Sequence, residues 1–169
     1  MARALIALGS NLGDRAGYLL SGIAALSRAG IRVGALSRIY ETEPVGPPGQ
    51  GRYLNQVARV ETELGPRELL KLLLAVEKVH GRARTVRFGP RTLDLDLLDY
   101  EGRVLDLPGL TLPHPRMHAR AFVLVPLLEV APGWRHPRLK KSARELLLGL
   151  DVGGVRPYLL EDPGPDLPE

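Results

Sequence analysis

The order of hydrophobic patterns along the chain predicts an α+β fold, a βαββαβ core in which an antiparallel sheet carries its two helices on one face. Three observations predict it. Residues 4–8, 31–42, 53–63 and 92–100 are apolar or alternating runs of strand type. Residues 14–29 and 66–80 repeat leucine at helical spacing. Glycine or proline punctuates the junctions between them.

Each element has its own justification. Ala4 to Leu8 reads as a buried strand ending at Gly9, after which Asp14 offers a carboxylate N-cap to a helix bearing Leu19, Leu20, Ile23 and Leu26 and closed by Gly30. A second strand, about Ile31 to Thr42, runs into Glu43-Pro-Val-Gly-Pro-Pro-Gly-Gln-Gly-Arg52, too rich in Pro and Gly for regular structure and read as a functional loop. Tyr53 to Glu63 alternates as a third strand, with Tyr53, Asn55 and Val57 on one face. Gly65-Pro66 starts a second helix that buries Leu69, Leu70, Leu73 and Val76 and stops at Gly81. Thr92 to Tyr100 is the fourth strand, Glu101-Gly102 a turn, and Arg103 to Leu107 a returning strand. This order is that of the ferredoxin-like split βαβ arrangement. C-terminal decorations follow: a helix over Ala119–Val130 interrupted at Pro126, and a capping box at Ser142-Ala-Arg-Glu145. Residues 1–150 are expected to form one domain and 151–169 a Pro-rich, loosely ordered tail.

Composition narrows the function classes. The 169 residues are 44% hydrophobic and 25% charged, enough apolar surface for one sizeable core and against a disordered chain. Without cysteine, disulfides, thiolate zinc sites, iron–sulfur clusters and thiol nucleophiles are excluded. The longest apolar stretches fall well short of the roughly 18–20 residues a membrane helix needs, and no signal-peptide cleavage site follows the N-terminal run, so a cytoplasmic protein without a membrane partner is expected. A monomer is the accompanying expectation. The net charge is +4, with 19 arginines against four lysines, and arginine's planar fork suits phosphate or carboxylate ligands.

Arg91-Thr-Leu-Asp94-Leu-Asp96-Leu is the strongest local signal. Strand alternation puts Asp94 and Asp96 on one face, about 6–7 Å apart, and Leu93, Leu95 and Leu97 on the other. Taken alone, the pattern better fits a half-exposed strand with acids facing water. The preceding loop changes that reading: Arg82, Arg84, Arg87 and Arg91 crowd a Gly- and Pro-bounded segment, so hard oxygen ligands for Mg²⁺ adjoin phosphate clamps. Pro113-His114-Pro-Arg116 through Arg120 could bring His114 and Arg120 to the same phosphates. Neither a P-loop nor Gly-x-Gly-x-x-Gly is present. Of eight aromatics, Tyr53 and Phe122 flank candidate loops, where two rings could stack a flat heterocycle while Asn55 reads its polar edge; core packing accounts for them equally well.

Five segments in order, Ile6-Ala-Leu-Gly-Ser-Asn11, Tyr40-Glu-Thr-Glu-Pro-Val-Gly46, Tyr53-Leu-Asn55, Arg87-Phe-Gly-Pro-Arg-Thr-Leu-Asp-Leu-Asp96 and Pro113-His-Pro-Arg through Phe122, resemble the 6-hydroxymethyl-7,8-dihydropterin pyrophosphokinase family of folate biosynthesis. The resemblance runs from Ile6 to about Pro132. It implies transfer of diphosphate from ATP to the pterin's hydroxymethyl group, releasing AMP. By motif it implies that Asp94 and Asp96 ligate two Mg²⁺, that Arg82 and Arg91 serve catalysis, and that Arg82, Arg84, Arg87, Arg91, His114 and Arg120 bind ATP phosphates. It further implies Leu97 and Thr111 near adenine, and Thr42, Val45, Tyr53, Asn55 and Phe122 around the pterin, with Glu77 supporting from the helix beneath. The chain departs from the pattern at Phe88, where some members carry Trp, and near Thr85, where some carry a basic residue.

The alternative from another class is a ferredoxin-like RNA-binding module, whose open sheet would stack bases on exposed aromatics. Asp94 and Asp96 argue against nucleic acid, since they repel phosphate unless a metal intervenes.

Overall fold

The computed structural model describes residues 1–43, 51–81 and 92–159. Val45, Arg82, Arg84, Arg87 and Arg91 lie outside the described residues, as do Thr85, Phe88 and the last ten residues of the tail. β1 (Ala2–Ser10) leads to α1 (Arg15–Arg28), whose N-cap Asp14 accepts from Gly17 N at 3.1 Å. Gly30, at φ +91°, lets the chain leave that helix, with Ile31 N donating to the Leu26 carbonyl. β4 (Tyr53–Thr62) is followed by α2 (Pro66–Val79), with Pro66 in its first turn and the Glu68 carboxylate accepting from Gly65 N.

The expected second strand is two strands, β2 (Arg32–Leu36) and β3 (Tyr40–Thr42), both antiparallel to β4. Ser37 breaks the run: its Oγ accepts from Val57 N, taking the place a backbone carbonyl would hold, and its own carbonyl accepts from the Gln56 side chain. Among the described residues, β5 (Asp94–Tyr100) pairs with β1 alone and is the sheet's edge. The main sheet therefore runs β5-β1-β4, with β2 and β3 beyond β4.

One face of the sheet packs on α1 and α2 through Ile6, Leu8, Leu54, Ala58, Leu93, Leu95 and Leu97, with Leu19, Leu26, Leu69 and Leu73 from the helices. The other face, carrying Leu5, Val57 and Leu98, is covered by α3 (Ala121–Val130) and α4 (Ala143–Leu147). Helices on one face only was the sequence expectation, so the C-terminal helices are a third layer rather than decoration. No open sheet face is left here for stacked bases. α3 also runs unbroken through Pro126. The proline removes one intrahelical hydrogen bond, at about 3 kcal/mol, and burial of Val123, Leu124, Leu127 and Val130, at about 1.5–3 kcal/mol each, outweighs it.

Two further departures concern the edges. The strand expected over Arg103–Leu107 is β6 (Leu105–Leu107), and it pairs with β7 (Leu110–Leu112) in a separate hairpin turned by Pro108-Gly109, with Gly109 at φ +77°. Inside the expected tail, β8 (Arg156–Pro157) adds to the outer edge of β3. Among the described residues, no helix is long and apolar enough to cross a membrane.

α3 is fastened to the sheet by Glu129. Its carboxylate accepts from Arg38 N at 2.8 Å, from Arg38 Nε at 3.4 Å and, closely, from the Tyr40 hydroxyl, while Arg59 donates to the Val130 carbonyl. Burial pushes the Glu129 carboxyl up, but the Tyr40 and Arg38 hydrogen bonds and the Arg38 charge leave it below its ordinary 4.5. Glu129→Ala is expected to cost about 1–3 kcal/mol at neutral pH. Because the folded value is depressed, the gap to wild type should close as pH falls through it, a difference readable by urea unfolding in neutral and strongly acidic buffer.

Candidate active site

Strand alternation on β1 determines where a cavity can form. Leu5, Ala7 and Gly9 face the α3 layer, and the side chains shrink toward the C-terminal end of the strand. β1 lies between β4 and β5, with Gly9 opposite Asn55 on one side and Asp94 on the other, and Ala7 opposite Val57 and Asp96. Side chains on the two flanking strands therefore look across a floor that is nearly bare. A cavity of about 570 Å³ opens there, lined by Ala7, Gly9, Thr42, Tyr53, Asn55, Asp94, Asp96, His114, Arg116, Arg120, Phe122 and Val123 among others.

On the β4 side, Asn55 Nδ2 donates to Thr42 Oγ1 at 2.8 Å, and both residues are buried. The amide oxygen points toward Gly9, where a built Cβ would stand 3.7 Å from it and 3.6 Å from the Tyr53 ring. A flat ligand lying over Gly9 would thus meet an oriented amide and an aromatic face. Phe122, at the start of α3, lines the same cavity, as the sandwich reading requires. The Arg120 guanidinium carbon lies 5.5 Å from the Phe122 ring centroid, a cation–π contact on one of the expected stacking rings.

On the β5 side, Asp94 and Asp96 are half-buried and line the cavity together, while Leu95 and Leu97 turn into the core. Alternation holds through Leu98, which lies on the α3 side with the aspartates; past it a register shift against β1 turns Tyr100 into the core that faces α1 and α2. The Leu98 carbonyl accepts from His114 N at 2.9 Å, anchoring the Pro113–Arg116 segment over β5. The outward N–H of Leu95, between the two aspartates, is taken by the buried Glu77 carboxylate at 2.7 Å. Among the described residues β5 has no second strand beside it, and Glu77 braces that edge from α2.

His114 Nδ1 accepts from Arg116 N at 3.2 Å, which puts the ring proton of the neutral form on Nε2. Burial, followed by the charges of Arg120 and Arg116, pushes its pKa down to about 4 against the opposing pull of Asp94. At neutral pH this residue is an uncharged hydrogen-bond donor.

Not every expected residue reaches the cavity. Leu97 is buried in the core against the helices, and Thr111 sits on β7 opposite Asp106; neither lines the cavity. Sequence reasoning missed Ala7, Gly9 and Val123, and it left Arg116 without a role. The decreasing side-chain size along one face of β1 was the signal for the first two.

The family model described as 7,8-dihydro-6-hydroxymethylpterin-pyrophosphokinase (HPPK) matches residues 5–132. The chain belongs to this family. A Bacillus subtilis 2-amino-4-hydroxy-6-hydroxymethyldihydropteridine pyrophosphokinase is 48% identical over 128 residues, 75% of this chain and 77% of the relative. The enzyme of that name from Pseudomonas aeruginosa is 46% identical over 154 residues, 90% of this chain and 94% of the relative. Among solved structures, wild-type Plasmodium falciparum HPPK-DHPS with pteroate superposes with a TM-score of 0.68 at 14% identity, over 88% of this chain. The present chain spans 42% of that longer one, and the likeness shows the fold.

Membership of the family makes the protonation state of His114 a direct question for the ligand-free protein. Its folded value lies below the ordinary 6.5, so the unfolded chain binds this proton more readily between pH 6.5 and about 4, and stability falls as pH drops through that window. NMR titration of the His114 ring should give a midpoint near 4, and His114→Gln should reduce the acid-induced loss of stability. A midpoint near 6.5 would remove the burial argument.

Proposed function

We propose that the protein transfers diphosphate from ATP to the hydroxymethyl group of 6-hydroxymethyl-7,8-dihydropterin. The hydroxyl oxygen attacks the β-phosphorus, the bond from that phosphorus to the α,β-bridging oxygen breaks, the hydroxyl proton is released, and AMP departs. One observation carries the reading: a single cavity holds a carboxylate pair on β5 and an oriented Asn55–Thr42 pair on β4, facing each other across Gly9. The names of the bacterial relatives support the same reaction.

Two carboxylates on one strand face, with no cluster of three metal-ligating side chains among the described residues, suit Mg²⁺, which keeps waters and substrate phosphates as its remaining ligands. Asp94 and Asp96 would hold it, as two ions together with ATP. The chemistry such ions would supply there is neutralisation of triphosphate charge and a lowered pKa for the attacking hydroxyl. Tyr53 and Phe122 stack the pterin, and Asn55 hydrogen-bonds its edge. His114 Nε2–H and the Arg120 guanidinium donate to phosphate oxygens. Arg82 and Arg91, with Arg84 and Arg87, complete the phosphate clamp by resemblance. No side chain is needed as a strong base, since phosphoryl transfer depends chiefly on positioning and charge neutralisation.

The strand order β5-β1-β4-β2 supports a ferredoxin-like reading of the core. The same proposal makes the protein a cytoplasmic monomer acting on two small molecules.

Incubating the protein with Mg-ATP should yield AMP only when the pterin is present, and EDTA should abolish it. Asp96→Ala should lower turnover by at least roughly 100-fold while leaving the melting temperature near wild type, because the side chain it removes lines a cavity rather than the core. Near-normal AMP formation by a folded Asp96→Ala protein would refute the metal assignment.

A further inference from the structure

A polar cluster gathers where β3 ends and β4 begins, with Arg15 and Glu41 on the side of the sheet away from the cavity and Glu43 at the cavity's rim. Arg15, the first residue of α1, donates from one terminal nitrogen to Glu41 Oε2 at 2.8 Å and to the Arg52 carbonyl at 2.9 Å. Arg52 in turn reaches Glu41 Oε1 at 3.8 Å and Glu43 Oε1 at 3.0 Å. Asn11, four residues before Arg15, donates to the Gly51 carbonyl at 3.2 Å. Gly51 has little space for a side chain, since a Cβ there would stand 3.0 Å from the Asn11 carbonyl oxygen. The turn between β1 and α1 thus grips the chain on both sides of residues 44–50, at Glu41 and at Gly51-Arg52. β8 closes the cluster from outside: Tyr158 N donates to the Ile39 carbonyl, and the Tyr158 ring lies 5.5 Å from the Arg15 guanidinium carbon.

The position of this cluster gives it a consequence. Glu41 lies between Tyr40 and Thr42, so its side chain leaves β3 on the face opposite Thr42. Thr42 pairs with Tyr53, Glu41 with Leu54 and Tyr40 with Asn55. The three strand residues expected to meet the heterocycle therefore sit on the front of a short ladder whose back Arg15 holds. β3 is only three residues long, too short to set its own register firmly. The Arg15 and Glu41 side chains are each about three-quarters buried, so their pairing is screened less than an exposed ion pair would be. Asp94, Asp96, His114 and Arg120 are carried by β5 and by the segment leading into α3, outside this cluster.

We propose that Arg15 is a positioning residue for the pterin half of the site: through Glu41 and the Arg52 carbonyl it fixes Thr42, Tyr53 and Asn55 without touching either substrate. The inference rests on the proposed function, and the two can fail separately.

The test is steady-state kinetics of AMP formation with each substrate varied in turn. Arg15→Ala should raise the KM for the pterin roughly tenfold, while kcat and the KM for ATP stay within about twofold. Arg15→Lys, which keeps the charge and one hydrogen bond, should recover part of the loss. Glu41→Gln, nearly isosteric, should reproduce the shift, and the Arg15→Ala/Glu41→Gln double variant should be no worse than Arg15→Ala, as expected for one coupled interaction. Arg32→Ala, which removes an exposed 4.0 Å ion pair with Glu61, is the control and should leave all constants unchanged. An unaltered pterin KM in folded Arg15→Ala, or parallel losses for ATP and kcat, overturns the proposal. If Arg15→Ala does not fold, an unaltered pterin KM in Glu41→Gln overturns it equally. A wild-type protein that forms no pterin-dependent AMP overturns the functional reading, and this inference with it, before any variant is compared.

Discussion

Residues on two strands can address one ligand only if the strand between them carries almost no side chain. In this protein that constraint falls on β1. Ala7 and Gly9 leave the centre of the sheet low, so that Asn55 on β4 and the Asp94–Asp96 pair on β5 stand as opposite walls of one cavity. A Leu at either position would be read as a better core residue and would fill the space in which the two halves of the site meet. The local loss of apolar burial is offset one step along the strand, where Leu5 faces Val123, Leu124 and Leu127 in the packed second core.

A floor of this kind has to be roofed, and the roof explains why the C-terminal third of the domain is not ornamental. α3 covers the lower half of the sheet with an apolar surface and begins at the cavity, so Phe122 and Val123 belong to the lining while Leu127 and Val130 belong to the core. Glu129 fixes the far end of that helix to β3 through Tyr40 and Arg38. The helix thus has a clamped end and an end that lines the cavity. Within the same layer, the His114 segment is hung from the Leu98 carbonyl at the irregularity in β5, placing an uncharged imidazole beside two carboxylates without a direct contest of charge.

Legibility in the sequence followed the range of the interactions concerned. Asp94 and Asp96 were readable because strand alternation is local, and the structure departs from it only past Leu98. The Asp14 cap and the Ser142–Glu145 capping box were readable for the same reason. The break at Ser37 was not, because it depends on a hydroxyl meeting Val57 N twenty residues away, and β-type composition continues through it. The β6–β7 hairpin was signalled by Pro108-Gly109 and overlooked in favour of a return to β5. The cavity floor was hidden in plain composition: Ala and Gly in a buried strand read as filler until their neighbours on both sides are known. Leu97 and Thr111 differ again: they do not line this cavity, and a role carried over by motif places a residue in a region rather than a side chain in a given lining.

The division of charge in the site follows from these placements. The carboxylates come from an edge strand braced by Glu77 through Leu95 N, so their separation is set by β geometry and by a buried helix side chain. The described cations come instead from Arg116 and Arg120, in the connection to α3, which is held at its two ends rather than along a ladder. Acids on a rigid strand and bases on connecting segments suit the proposed polyanion with its counter-cation: the strand holds two carboxylates at a fixed spacing, whereas guanidinium groups on connecting segments can close on phosphate oxygens. Without that cation, the two aspartates and a triphosphate would repel each other in a half-enclosed cavity, where such repulsion is screened less than in water.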